Sequence, residues 1–181
     1  DNHRQRTKMA KYFVSDYDNK RIKYVTTAQE IRDAIREVSM DGMTDVHMGT
    51  VDCDKLDCAV FRDITDRGQG NFEALALVEE AMLTDEEQAA LLWFFDRGYG
   101  YEPDEIEAVI EHVQDQPAVE MSKEDYAYQL VEDGLFGEIP EQIAYYIDFE
   151  KLGRDLWLGS DIGVVEEDGR HFIIPSPHDR P

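Results

Sequence analysis

The chain has 181 residues with 41 Asp or Glu against 18 Lys or Arg, a net charge of −23, yet 42% of it is apolar and 10% aromatic. The apolar and aromatic content excludes a disordered acidic chain, the length accommodates one ordinary domain or two to three small ones, and no apolar run approaches the roughly 18–20 residues needed to cross a bilayer. The charge argues against direct binding to nucleic acid or to an anionic membrane and calls for a basic partner.

In chain order, Asp1 to Ala10 is polar and basic and lacks a secretory apolar segment, with Met9 a candidate initiator behind Asp1–Lys8. Residues 12–70 predict a small α+β domain. Tyr12 to Val14 and Ile22 to Val25 are β-prone runs around Asp18 and Asn19, a hairpin pattern. Thr27 and Glu30 form a capping box ahead of Ile31, Ala34, Ile35 and Val38 at helical spacing. Val46 to Val51 and Ala59 to Ile64 read as two further strands, and Arg67-Gly68-Gln69-Gly70 as a boundary. Cys53 and Cys58 read as reduced thiols of a cytosolic protein rather than a disulfide framework.

Residues 71–117 predict an acidic helical domain. Phe72 to Met82 forms one helix; Thr84 with Glu87 caps a second that reaches about Asp96 before Gly98; Pro103 suits the first turn of a third. In that third helix Ile106, Val109, Ile110 and Val113 define a buried face, while Asp104, Glu107, Glu111 and Asp115 form a stripe on the opposite side.

Residues 118–174 predict an α/β domain, followed by a loose tail over 175–181. Ser122 with Asp125 opens a helix ending at Gly134, Pro140 starts a short helix, and Asp148 caps the next. Ile162 to Val165 and His171 to Ile174 flank Asp168-Gly169, a two-residue hairpin signal. The fold class is therefore α+β: an elongated chain of three small domains, α/β at the N-terminus, helical in the middle and α/β at the C-terminus.

The charge is not spread evenly over these domains. Between Asn71 and Asp168 there are 27 acids and only four bases (Arg97, Lys123, Lys151 and Arg154), which accounts for the whole net charge, while residues 1–70 hold 13 acids and 12 bases. Such a surface repels itself and opposes compaction. Nucleic acid heads the short list of polymers with comparable charge density. Along the third helix the stripe sets one carboxylate about every 4.5–6 Å, a scale comparable with the ~3.4 Å axial spacing of phosphates on one DNA strand. At two phosphates per base pair, the net charge matches roughly 11–12 base pairs, or about 23 in a dimer. The carboxylates that fit a phosphate-mimicking role are Glu79, Glu80, Asp85, Glu86, Glu87, Asp104, Glu105, Glu107, Glu111, Asp115, Glu124, Asp125, Glu132, Asp133, Glu138, Glu141, Asp148 and Glu150. For any single helix a solvated charged face is the commoner explanation; shared sign across three segments, without the bases of ordinary i, i+4 pairing, weakens it.

The run Leu130 to Glu141 (LVEDGLFGEIPE), with Tyr145-Tyr146-Ile147-Asp148-Phe149-Glu150 and Gly153-Arg154-Asp155-Leu156, resembles the C-terminal domain of the ArdA antirestriction family. The resemblance covers about residues 122–174, and extends to the acidic middle in character rather than by motif. It implies an elongated, dimeric, cytoplasmic protein of the bacterial host cell that mimics B-form DNA, encoded by mobile DNA. It also implies binding in the DNA groove of type I restriction–modification complexes, against their specificity and modification subunits. The family's antirestriction motif falls on about Leu130 to Glu141, near where family dimers associate, which marks Leu130, Leu135, Phe136, Ile139, Pro140 and Tyr146. From the residues themselves, these side chains with Ile143 form an apolar cluster: fold interior is the first expectation, an interface with a second copy the alternative. Arg154 and Asp155 are expected to pair internally, and Tyr126, Tyr128, Tyr145 and Tyr146 to serve core or interface.

Catalytic signatures are missing from the sequence. It carries no Gly-rich phosphate loop, nucleophile elbow or HExxH helix, and its five His are scattered. Asp52-x-Asp54-x-x-Asp57 departs from a calcium loop, with Asp57 where Gly belongs and Asp63 where Glu belongs. Cys53 and Cys58 have no second pair to complete a zinc site, and Asp148-Phe149-Glu150-Lys151 lacks the acid-x-Lys spacing of a nuclease. The expectation is a non-catalytic inhibitor without cofactor or metal. The alternatives are an acidic inhibitor of another nucleic-acid-handling defence complex, such as a CRISPR effector, a metal-dependent hydrolase, or an acidic scaffold.

Overall fold

A computed structural model describes residues 10–16, 20–39, 46–53, 55–67, 72–100, 102–159, 162–174 and 181. The hairpin turn at Asp18-Asn19, the Gly68-Gln69-Gly70 boundary and the tail at 175–180 lie outside the described residues, as does Asp1 to Met9. The fold is α+β, with eight helices and two three-stranded antiparallel sheets among the described residues.

The first sheet has order β2-β1-β3, built from β1 (Tyr12–Asp16), β2 (Ile22–Val25) and β3 (Val46–Thr50), with Tyr12 opposite Val25 and Thr50. Alternation puts Tyr12 and Val14 of the central strand into the core. Helix α1 (Ala28–Val38) starts as expected: the Glu30 side chain accepts from the Thr26 and Thr27 amides, and Thr27 Oγ1 accepts from the Glu30 amide. Its buried face is Ala28, Ile31, Ala34 and Val38, a helical repeat.

One expected strand is a helix. Ala59 to Ile64 lies inside α2 (Lys55–Arg67). The β-branched Val60 and Ile64 suggest a strand, but Leu56, Ala59, Val60 and Ile64 are buried at i, i+3, i+4 and i+8, and that period decides. The cysteines also differ from expectation: Cys53 and Cys58 are joined as a disulfide that links the end of β3 to the first turn of α2. Their Cα atoms stand 6.1 Å apart, inside the range a disulfide spans.

Helices α3 (Phe72–Ala81), α4 (Asp85–Asp96) and α5 (Pro103–Asp115) follow. In α4, Gln88, Ala89, Ala90, Leu91, Trp93, Phe94 and Phe95 are all buried. A helix apolar on nearly every side belongs at the centre of a core, and α4 packs against α2, α5 and the second sheet. That sheet has order β4-β6-β5, from β4 (Val119–Glu120), β5 (Gly163–Glu167) and β6 (Arg170–Ile174). Asp168 and Gly169, both at positive φ (54° and 77°), make the expected tight turn between β5 and β6. Phe172 and Ile174 bring this sheet into the same buried cluster as Tyr12, Ile31, Leu91 and Ile106, so one core draws on all three stretches of the chain.

The remaining helices, α6 (Lys123–Glu132), α7 (Glu141–Ala144) and α8 (Phe149–Leu158), form a lobe outside that core. α6 and α8 pack along each other, crossing closely at Gly153, where a Cβ would run into the Lys123 carbonyl. Within 122–159 only Ala127 and Gly153 are buried.

Candidate partner-binding surface

Several of the acidic side chains hold the fold together. Glu79 is almost enclosed: Tyr12 Oη donates to it at 2.6 Å, and Lys11 Nζ sits 3.2 Å from Glu79 and 3.1 Å from Asp57. Burial works against the charge on Lys11, but the two carboxylates outweigh it and raise its pKa. Glu80 and Glu73 bind Arg32 at 3.0 and 2.7 Å, and those hydrogen bonds, Glu73 first, hold its guanidinium above its ordinary range. Asp85 receives Arg170 at 2.5 Å, while the same guanidinium binds Glu120 through two parallel bonds of 2.8 and 2.6 Å. Arg170 thereby ties β6 and β4 to the start of α4. The Glu87 carboxylate caps α4 by accepting from the Thr84 amide, and Glu86 accepts the Ala118 amide through its carbonyl. Asp125 accepts from the Ser122 hydroxyl, and Asp148 caps α8 by accepting from the Lys151 amide.

A second set is exposed and uncommitted. On α5, Ile106, Val109, Ile110 and Val113 are buried as expected, and Asp104, Glu107, Glu111 and Asp115 stand exposed on the other side. None of these four has an ion-pair or side-chain hydrogen-bond partner among the described residues; Glu105 beside them is exposed but engaged in an interaction of its own. In the lobe, Glu124, Glu132, Asp133, Glu138, Glu141 and Glu150 are likewise exposed with no such partner among the described residues. The candidate carboxylates thus divide in two, a division that composition does not reveal because it depends on which acids meet one of the few bases.

The apolar residues singled out around the Leu130–Glu141 run are not fold interior. Leu135 is 67% exposed and Tyr146 81% exposed; Phe136, Ile143, Tyr145 and Tyr128 are exposed too, while Leu130 and Ile139 are half-buried and Pro140 exposed. The run is shaped by backbone rather than by packing. The Gly134 amide donates to the Val131 carbonyl and the Leu135 amide to the Leu130 carbonyl, closing α6 with paired reverse bonds that place Gly134 at φ 77°. A three-helix lobe over residues 122–159 with only two buried positions lacks the apolar burial that holds a domain together. Tyr126 is half-buried, which raises its pKa by desolvation. Arg154 pairs with Asp155 at 3.2 Å on the surface, as expected for a lone base among acids.

The lobe joins the body through a small polar–aromatic joint. The Met121 amide donates to the His171 carbonyl, Lys123 Nζ lies 2.6 Å from Glu166 and 4.6 Å above the Trp157 ring, and Trp157 meets the His171 ring edge to face. Lys123, by hydrogen bonding, lowers the pKa of Glu166, with His171 at 3.0 Å adding to it.

No group of three or more His, Cys, Asp or Glu among the described residues could hold a metal ion, and no described helix is long and apolar enough to cross a membrane. Comparisons with curated proteins and with solved structures returned no match. The family model described as "Antirestriction protein (ArdA)" matches residues 7–170, which extends the likeness from the C-terminal motifs through the acidic helices to the first sheet. The chain belongs to the ArdA family of antirestriction proteins.

Proposed function

We propose that this protein inhibits type I restriction–modification enzymes without catalysis, by occupying their DNA groove with carboxylates in place of phosphates. The observation that carries the reading is the row of acids Asp104, Glu107, Glu111 and Asp115 on the outer face of α5, exposed and without a partner among the described residues, together with the similar acids of the lobe. A carboxylate committed to an internal base has little charge left to offer a partner, whereas these keep theirs. A basic groove that sheds its counterions to bind DNA gains in the same way from such a surface. The inhibitor acts as a homodimer, with Leu135, Phe136, Ile143, Tyr145 and Tyr146 covered by the second copy. Large apolar side chains left in solvent in this number within one small lobe are what an interaction site offers. The specificity and modification subunits, which hold the DNA in the target complex, are its binding partners.

The test is competition. A purified type I modification complex bound to labelled DNA is titrated with the protein, and DNA is expected to be displaced with an apparent affinity that falls as salt rises. Undiminished DNA binding at saturating protein would overturn the proposal.

A further inference from the structure

Cys53 and Cys58 lie at the corner where the end of β3, the start of β1 and the first turn of α2 meet. The Val51 amide donates to the Lys11 carbonyl at 2.7 Å, and Lys11 Nζ reaches Asp57, next to Cys58 in α2, at 3.1 Å. The disulfide is the covalent part of this corner. Three observations set it apart from a bond that the fold needs. The cysteines are five positions apart, so the bond closes a short loop, and short loops remove the least freedom from the unfolded chain. Access of a small thiol to a disulfide falls with burial, and here both cysteines are only half-buried and neither belongs to the core cluster. Helix α2 is also anchored without the bond, by the buried Leu56, Ala59, Val60, Phe61 and Ile64. The free thiols that the sequence suggests and the bond that the structure shows are then two states of one pair.

We propose that Cys53 and Cys58 are a reversible thiol–disulfide switch, opened by a dithiol reductant, that governs how firmly the first turn of α2 is held to the end of β3. In the opening step a thiolate of the dithiol attacks one sulfur of the bond, and the other sulfur leaves as a thiolate. The dithiol's second sulfur then displaces the first cysteine, so the reductant departs as a cyclic disulfide and its two protons end on Cys53 and Cys58. The protein gains two electrons and two protons, and a disulfide oxidant reverses the exchange. Opening removes the covalent tie but not the buried face of α2, so the change stays local. The Val51–Lys11 hydrogen bond borders the freed end of β3, and the Lys11–Asp57 pair holds only as far as the first turn of α2 keeps its place. The switch does not depend on which enzyme the protein inhibits.

The full-length chain is compared in its closed and open forms by amide hydrogen exchange, with dithiothreitol to open the bond and oxidised glutathione to close it. Thiol titration should count two per chain in the open form and none in the closed form. Opening should speed exchange by roughly tenfold at the Val51 amide and at the amides of α2 that bond back to its first turn, within the range that a short-loop disulfide stabilises. The Phe94 amide in the core and the Val109 amide in α5 should keep their rates, and closing should restore the originals. Cys53→Ser with Cys58→Ser, purified without reductant, should reproduce the open form's pattern, which separates loss of the bond from any other action of the reagent. A bond that resists millimolar dithiothreitol in the folded chain, or that opens with no change at Val51 and α2, would overturn the switch. Unfolding of the double variant or acceleration at Phe94 would overturn it as well, because the bond would then be a staple for the whole fold. So would failure of the opened bond to close again.

Discussion

The body and the α6–α8 lobe are both acidic, yet they use their residues in opposite ways. In the body, acids meet bases across the fold: Glu79 with Lys11, Glu80 with Arg32, Asp85 with Arg170. Aromatic residues such as Tyr12, Phe61, Phe94 and Phe172 go inside, and charge is left over chiefly on one face of α5. In the lobe there is scarcely an interior, and tyrosines, Leu135 and Phe136 stand in solvent among acids most of which have no partner among the described residues. The body is held by its own packing. The lobe is held by helix capping, one close helix crossing and the joint at Lys123, Trp157 and His171, with its apolar surface unspent.

The largest effect that would break this comparison is on stability. Phe94→Ala, at a 2% exposed position in α4, should cost about 3–5 kcal/mol in chemical denaturation. Tyr146→Ala, at 81% exposure, should change the stability of the dilute monomer by no more than about 0.5 kcal/mol. Measured by sedimentation, Tyr146→Ala should instead weaken self-association. Equal destabilisation by both would mean that the lobe is packed as the body is.

Next in size, replacing Asp104, Glu107 and Glu111 together by Lys should weaken displacement of DNA from the target by roughly ten- to a hundredfold, or about 1.4–2.8 kcal/mol. It should also flatten the salt dependence of binding, read as the slope of log affinity against log salt. Circular dichroism should report an unchanged fold, because these side chains have no partners among the described residues.

A smaller effect is expected from Gly134→Ala. At φ 77° a Cβ is strained whatever the space, and nothing lies within 4 Å of it, so the cost should be about 1 kcal/mol of conformational strain alone, measured as a lower midpoint for loss of lobe helicity. A clash would cost more.

The joint should also respond to pH. The carboxyl of Glu166 is held below its ordinary value of 4.5 by Lys123, and that of Glu120 by Arg170, so the folded state favours their ionised forms. Their contribution is present above about pH 4.5 and is lost as pH falls through the lowered values. The NMR signals of the Trp157 indole should therefore move in that acid window, and Glu166→Gln should abolish the movement. Smallest of all, Arg154→Ala should alter stability by less than about 0.5 kcal/mol, as is usual for an exposed ion pair.

Much of this was legible in the chain. The two Thr–Glu capping boxes, the Asp168-Gly169 turn, the buried face of α5 and the Asp148 cap follow from short-range rules that each segment satisfies by itself. Ala59 to Ile64 was misleading because β-branched content and helical period conflict there, and packing against α3 and α4 decides such conflicts. The disulfide was hidden for another reason: two cysteines five positions apart do not say whether the loop between them brings their Cα atoms within reach. The division among the acids was hidden more deeply, since Glu79 and Glu107 are the same residue type on neighbouring helices.

Sequence by itself determined the sign and segregation of the charge, the helical repeat that turns one row of carboxylates outward, and the motifs that mark the ArdA family. These are properties of local spacing, which the chain carries in any context. Tertiary structure alone decided which acids are neutralised by a distant base, and which apolar residues are left in solvent. Each depends on residues tens of positions apart meeting in space, and Coulomb attraction and burial act on that separation rather than on the distance along the chain.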